Sequence, residues 1–245
     1  MRKTFFITVF VTITGIFLLG TLFLAKKPEL GRLAELSKVI RSESGEVINL
    51  RLTASGHWRE PADINRIDPL LVNMLVAYED QRFWQHHGVD PYAILRASLS
   101  YVKSGRIKSG ASTLTMQTAR LMHPNLRQRS ISNKIKQMWF AIRLDAHWSK
   151  NEILEAYFTL APFGGNIEGV EAATQAWYQK PPKELTYTEA ALLVALPQSP
   201  ERRRPDLFPD AAFQAKTKVL ETISSRINLE EKKLEELKKE PLPVR

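Results

Sequence analysis

The 245-residue chain contains no cysteine. That excludes disulfide staples, thiolate metal sites and a cysteine nucleophile, and it says nothing definite about compartment. There is no internal repeat and no HExxH pattern. His86, His87 and Asp90 lie close together, but adjacent histidines point in different directions on a helix, so no metal site is assigned and structural histidines are expected. What the chain does have is 44% hydrophobic and 25% charged residues, enough for one domain of ordinary size plus an appendage. Its formal charge of +9 suits an anionic partner, which could be nucleic acid, membrane lipid or a phosphorylated substrate.

The N-terminus chooses among these. Phe5 to Ala25 reads FFITVFVTITGIFLLGTLFLA without a charged residue, between Arg2 and Lys3 before and Lys26 and Lys27 after. A helix of that length spans a bilayer. A cleaved signal peptide is the rival, but the apolar stretch is longer than an ordinary h-region and no convincing small-x-small site follows it. An uncleaved single anchor over residues 1–27 is therefore expected, and nucleic acid is disfavoured as a partner.

Residues 28–65 read as a juxtamembrane linker with a β-hairpin, Val39 to Ile40 and Glu46 to Leu52 flanking the turn Ser42-Glu43-Ser44-Gly45. A mostly helical body follows over residues 66–210. Ser149 with Glu152, and Thr186 with Glu189, each spell a capping box, which makes those glutamates structural rather than catalytic. In residues 211–245 one charged helix is expected from Ala211 to about Glu240, stopped by Pro241 and Pro243. Its segment LEEKKLEELKKE is most simply a solvated face, with lysines that could also touch anionic headgroups.

Chemistry concentrates in VAYEDQRFWQHHGVD, residues 76–90. Leu71, Leu75 and Glu79 follow helical spacing, so Glu79 continues a face expected to be buried, where desolvation would raise its pKa toward that of a general base or acid. A structural salt bridge at the helix end is the plainer alternative. In KSGASTLTMQTAR, residues 108–120, Gly110 and Ser112 suggest a flexible loop leading into a helix that places Gln117 and Arg120 on one face. Lys134 and Gln137 repeat that spacing further on. Two helices presenting Arg120 and Lys134 beside amides could hold a phosphate or pyrophosphate; taken alone, each is a solvated basic face.

In this order the clusters resemble the peptidoglycan glycosyltransferases, glycosyltransferase family 51, found in the class A penicillin-binding proteins. The resemblance covers roughly residues 70–205. Its first motif is carried by Glu79, Asp80, Phe83, His86 and Gly88, followed by Asp90 and Arg96, and its second by Gly110, Ser112, Thr113, Leu114, Thr115 and Gln117, with Arg120 at the basic position. The third runs from Lys134 through SKNEILEAYFT, the fourth is Gly169 to Ala173 reaching Lys180, and the fifth is ALLVALPQSP. TLTMQ, APFGG (Ala161 to Gly165) and RRRPD (Arg202 to Asp206) are most similar to the 1C branch.

The resemblance implies a mainly α, lysozyme-like domain of two lobes behind the transmembrane helix, in the bacterial cytoplasmic (inner) membrane, with the catalytic domain on the outer, periplasmic side. It implies polymerisation of lipid II by inverting transfer, with the growing glycan released from undecaprenyl pyrophosphate. Glu79 then matches the general base. Arg120 and Lys134 fall on pyrophosphate-contacting positions, Ser112, Thr113 and Gln117 line the same cleft, and Asp80, Phe83 and His86 support the first motif. Lipid II, the glycan strand, the membrane and other cell-wall synthases are the implied partners. No cofactor is required, though a divalent cation, Mg or Mn, could assist at the pyrophosphate.

Four departures qualify this. Gln137 stands where most of the family has a second glutamate, and glutamine cannot carry charge or move a proton as a carboxylate does. Met116 and Gln179 replace a common glutamine and glycine. No K-T-G element accompanies Ser100-Tyr101-Val102-Lys103, so that S-x-x-K match is read as coincidence and transpeptidation is not expected. A catalytically degenerate scaffold binding lipid II or synthases, and a lysozyme-like lytic enzyme, are the competing readings.

Overall fold

The computed structural model describes residue 20 and residues 25–43, 45–104, 112–128 and 130–243, without the side chains of 98 and 101–104. Most of the expected anchor, residues 1–19 and 21–24, and the loop residues 105–111 that include Gly110 lie outside these residues, as do Ser44 of the expected turn and the Lys103 side chain. Among the described residues no helix is long and apolar enough to cross a membrane.

The fold is mainly helical. Its order is β1 (Lys38–Arg41), β2 (Val47–Arg51), β3 (Trp58–Arg59), α1 (Pro69–Glu79), α2 (Pro91–Ser104), α3 (Leu114–Met122), α4 (Ile131–His147), α5 (Lys150–Leu160), β4 (Pro162–Gly164), β5 (Ile167–Glu168), α6 (Val170–Tyr178), α7 (Tyr187–Ala195), α8 (Pro209–Ile223) and α9 (Glu231–Lys239). β1 and β2 pair antiparallel, Lys38 opposite Arg51. In the second sheet β5 is central, parallel to β3 and antiparallel to β4.

Capping chemistry sets most helix starts. Asp68 accepts from the Leu70 amide with Pro69 at the first helical position, Thr113 caps α3 and Ser130 caps α4. Ser149–Glu152 and Thr186–Glu189 form complete capping boxes, so both glutamates spend their carboxylates on backbone amides. The core gathers around α7, whose Ala190 to Ala195 are all nearly inaccessible, packed by Leu71, Met74 and Leu75 of α1 and Val219, Leu220 and Ile223 of α8. Each such large side chain contributes about 1.5–3 kcal/mol of burial. The expected single C-terminal helix is instead two. It breaks after Ile223, where Leu229 bonds back to Ser224 and Asn228 adopts a left-handed φ of 53°, and Leu237 of α9 folds back into the core.

The segment before β1 is fastened to the body. Glu168 of β5 accepts two bonds from Arg32, at 2.6 and 2.7 Å, and two from Arg59, which is fully buried and also reaches the Arg32 and Glu35 carbonyls. Burial alone would raise the Glu168 pKa, but the two guanidiniums hold it below the ordinary carboxylate value.

Candidate active site

Glu79 is the last residue of α1; the helix stops because Asp80 leaves helical geometry (φ −157°, ψ 75°). The side chain is therefore partly exposed in a cleft rather than buried, contrary to the periodicity expectation, because the buried face of α1 ends one turn earlier at Val76. Each carboxylate oxygen accepts from an amide: Oε2 from Gln117 Nε2 at 2.9 Å, Oε1 from Gln198 Nε2 at 2.7 Å. The salt bridge of the plainer alternative is not among the ion pairs of the described residues. Tyr157 lies close enough for the Glu79 charge to act on it, and burial first, then Glu79, pushes its hydroxyl far above the usual phenol value, so it stays protonated.

The neighbours of Glu79 bind two chain segments together. Buried Asp80 accepts from His86 Nε2 at 2.9 Å and from the Leu114 amide, the first of α3, at 2.8 Å, where the positive end of the helix favours a carboxylate. Thr113 caps the same helix and donates to the Gly88 carbonyl at 2.6 Å. Gly88 has φ of +79°, and a Cβ there would sit 2.3 Å from the Ala141 carbonyl oxygen, so only glycine fits. Phe83 is wholly buried beneath, edge-on to His86 and covered by the Lys150 ammonium. His87 pairs with Asp145 instead of joining His86.

The main cleft has a volume of about 640 Å³ and brings Glu79, Ser112, Thr113, Gln117 and Arg120 together. A second recess of about 430 Å³ adjoins it at Arg120 and is lined also by Arg127, Lys134 and Gln137, with no carboxylate among the described residues that line it. Lys134 contacts Ser112 Oγ and lies 3.5 Å from Gln137 Oε1. Burial, then the charge of Arg120, holds its ammonium below the ordinary lysine value. Burial and Arg32 act likewise on Arg127. Gln137 is buried and donates to the Leu126 carbonyl at 2.7 Å, a bond that an ionised glutamate could not make.

All the nominated side chains are thus accounted for, and the main cleft is lined also by residues outside that set, among them Gln198, both Lys218 and Thr222 of α8, and Arg226 just beyond its end. Gln198 could have been suspected as the first polar side chain after a buried apolar run; nothing in the sequence signals Arg226.

A transglycosylase family model matches residues 45–224. The chain belongs to the transglycosylase family. This is glycosyltransferase family 51, as the motif order indicated. The transglycosylase chain is 41% identical over 206 residues to penicillin-binding protein 1C of Escherichia coli (strain K12), spanning 84% of this chain and 26% of that protein. It is 37% identical over 182 residues to penicillin-binding protein 1A of Aquifex aeolicus (strain VF5), spanning 74% and 25%. It therefore covers about a quarter of the length of either relative. Gln179 adopts a left-handed φ of 56° at the end of α6, a position that favours glycine.

Proposed function

We propose that this transglycosylase polymerises lipid II into glycan strands at the outer face of the cytoplasmic membrane by inverting transfer. One observation carries the reading. A carboxylate hydrogen-bonded by two neutral amides opens into the same cleft as Arg120, which also lines an adjoining recess with Arg127 and Lys134 where no described lining residue is a carboxylate, so a proton acceptor and an anion site face one substrate space.

In this reading Glu79 takes the proton of the acceptor's 4-hydroxyl as that oxygen forms the new bond to the donor's anomeric carbon. The bond from that carbon to the pyrophosphate oxygen breaks on the opposite face, and the electron pair leaves with undecaprenyl pyrophosphate. Arg120 and Lys134 stabilise the charge accumulating there. Ser112, Thr113 and Gln117 shape the cleft, while Asp80, Phe83 and His86 hold its frame. The fixed cations supply the neutralisation, so no cofactor is required; a Mg or Mn ion bound to the pyrophosphate would add to it. The engagement of Gln137 with Leu126 gives it a structural task and counts against reading it as a lost catalytic carboxylate.

The two-lobed, lysozyme-like description and the single anchor over residues 1–27 belong to the same proposal. Exposed Tyr92, Leu95 and Leu99 on α2, and Ile131, Ile135 and Trp139 at four-residue spacing on α4, support contact with the bilayer near the cleft. Other cell-wall synthases are proposed partners.

The test is polymerisation of labelled lipid II by the full chain in detergent, beside Glu79→Gln. Long glycan from the parent and none from the variant is the expected result. Lipid II binding without product would favour the scaffold, and cleavage of lipid-free glycan the lytic enzyme.

A further inference from the structure

Gln198 belongs to the 3-10 turn Leu196–Gln198 that follows α7, a helix whose own residues are almost inaccessible. Its amide has two polar neighbours of opposite kind. Nε2 donates to Glu79 Oε1 at 2.7 Å, and Oε1 accepts from Arg203 Nη1 at 3.0 Å. Rotating the amide by half a turn would set oxygen against carboxylate and NH₂ against guanidinium, so one orientation is enforced from both sides. Arg203 is fixed in turn, because the same Nη1 donates to the Ala195 carbonyl at 2.6 Å, at the end of α7, and the Arg203 amide bonds to the Ser199 carbonyl. Gln117 holds the other carboxylate oxygen from α3.

We propose that Arg203 and Gln198 form a relay that positions Glu79: Arg203 fixes the Gln198 amide against the end of α7, and the amide NH₂ fixes the rotamer of the carboxylate. The proposal rests on Glu79 being the base. Both are positioning residues, and Arg203 acts only through Gln198. The relay gives the catalytic carboxylate the rigidity of a buried helix that it does not itself belong to. It also assigns a task to one arginine of the RRRPD segment, which the proposed function leaves idle.

The experiment is a double-mutant cycle in lipid II polymerisation with Gln198→Leu, Arg203→Met and the pair, supplemented by titration of the ¹³C-labelled Glu79 carboxyl, assigned by its absence in Glu79→Gln. Gln198→Leu lowers kcat by about 10- to 100-fold with KM within about threefold, Arg203→Met lowers kcat by about 3- to 10-fold, and the pair falls no further than Gln198→Leu alone. Additive losses, or losses confined to KM, overturn the relay.

The titration decides independently of turnover. Removing a donor to the carboxylate moves the Glu79 midpoint to higher pH in Gln198→Leu and in Arg203→Met, and Gln198→Glu, which sets a second carboxylate beside it, moves it further. Arg82, Asp90, Arg96, Arg120, Lys218 and Arg226 line the same cleft and Tyr157 lies near; all remain in every variant, so their influence cancels. An unmoved midpoint in Gln198→Leu or Arg203→Met overturns the relay even if the parent makes no glycan, a result that would by itself count only against the proposed function.

Discussion

On one wall of the cleft Glu79 meets two uncharged amides; on the other, Arg120, Arg127 and Lys134 crowd together with no carboxylate among the described residues lining their recess. The first wall is satisfied before substrate arrives. The second is not, since like charges repel and burial weakens their hydration, as the lowered pKa of Lys134 records. A base needs a fixed geometry and a free lone pair, which neutral donors provide without quenching it. An anion site needs charge held in reserve, and a neighbouring carboxylate would consume that charge.

The contrast can be broken at its sharpest point by Glu79→Gln. Polymerisation should fall by about 10³-fold or more, with lipid II binding nearly unchanged, as loss of a general base demands. A comparable fall in binding would mean that Glu79 serves the anion wall instead. Next in size is Gly88→Ala, at the seam where both walls meet. A Cβ 2.3 Å from the Ala141 carbonyl oxygen should cost about 3 kcal/mol in chemical denaturation, and a neutral result would show that the seam yields.

Lys134→Met should lower kcat/KM by about 100-fold while leaving the thermal midpoint the same or slightly raised, because one of three repelling cations is gone. A lowered midpoint would show that the cluster stabilises the fold in the absence of an anion. The smallest effect is a proton count. Lys134 has a folded-state pKa below the ordinary lysine value, so between those two values it is partly deprotonated when free, and a bound anion should restore the proton. Calorimetry of pyrophosphate binding in buffers of different ionisation enthalpy, with the ligand's own proton release read from Lys134→Met, should show an additional uptake of less than one proton by the parent in that alkaline window; identical proton counts in the two would show that Lys134 gains none.

The two walls were unequally legible in the sequence. Arg120 and Lys134 announce themselves as cations at helical spacing beside amides, and family motif order then carried them into one site. On the other wall Glu79 is a candidate from the sequence and lies in the cleft, yet the expected burial is not found, because periodicity extends a helical face without knowing that Asp80 ends the helix. Gln198 was missed as a partner since it meets Glu79 across 119 positions of chain, a distance no spacing rule spans. The C-terminal helix failed for a similar reason: its charge pattern runs on through Ser224 to Asn228, while the left-handed turn that redirects the chain depends on Leu237 finding the core. Capping boxes were read correctly because both partners lie within one turn.

The clasp of Arg32 and Arg59 on Glu168 has a geometric consequence. If the apolar run ending at Ala25 is embedded in the bilayer, the chain from there to Arg32 reaches at most about 25 Å even when fully stretched. The clasp would then work as a short leash, keeping the whole domain within a thin shell above the headgroups. Under the proposed function, search for a lipid-borne substrate would become lateral, a problem in two dimensions rather than three, and lengthening the leash would dilute the domain with respect to that membrane.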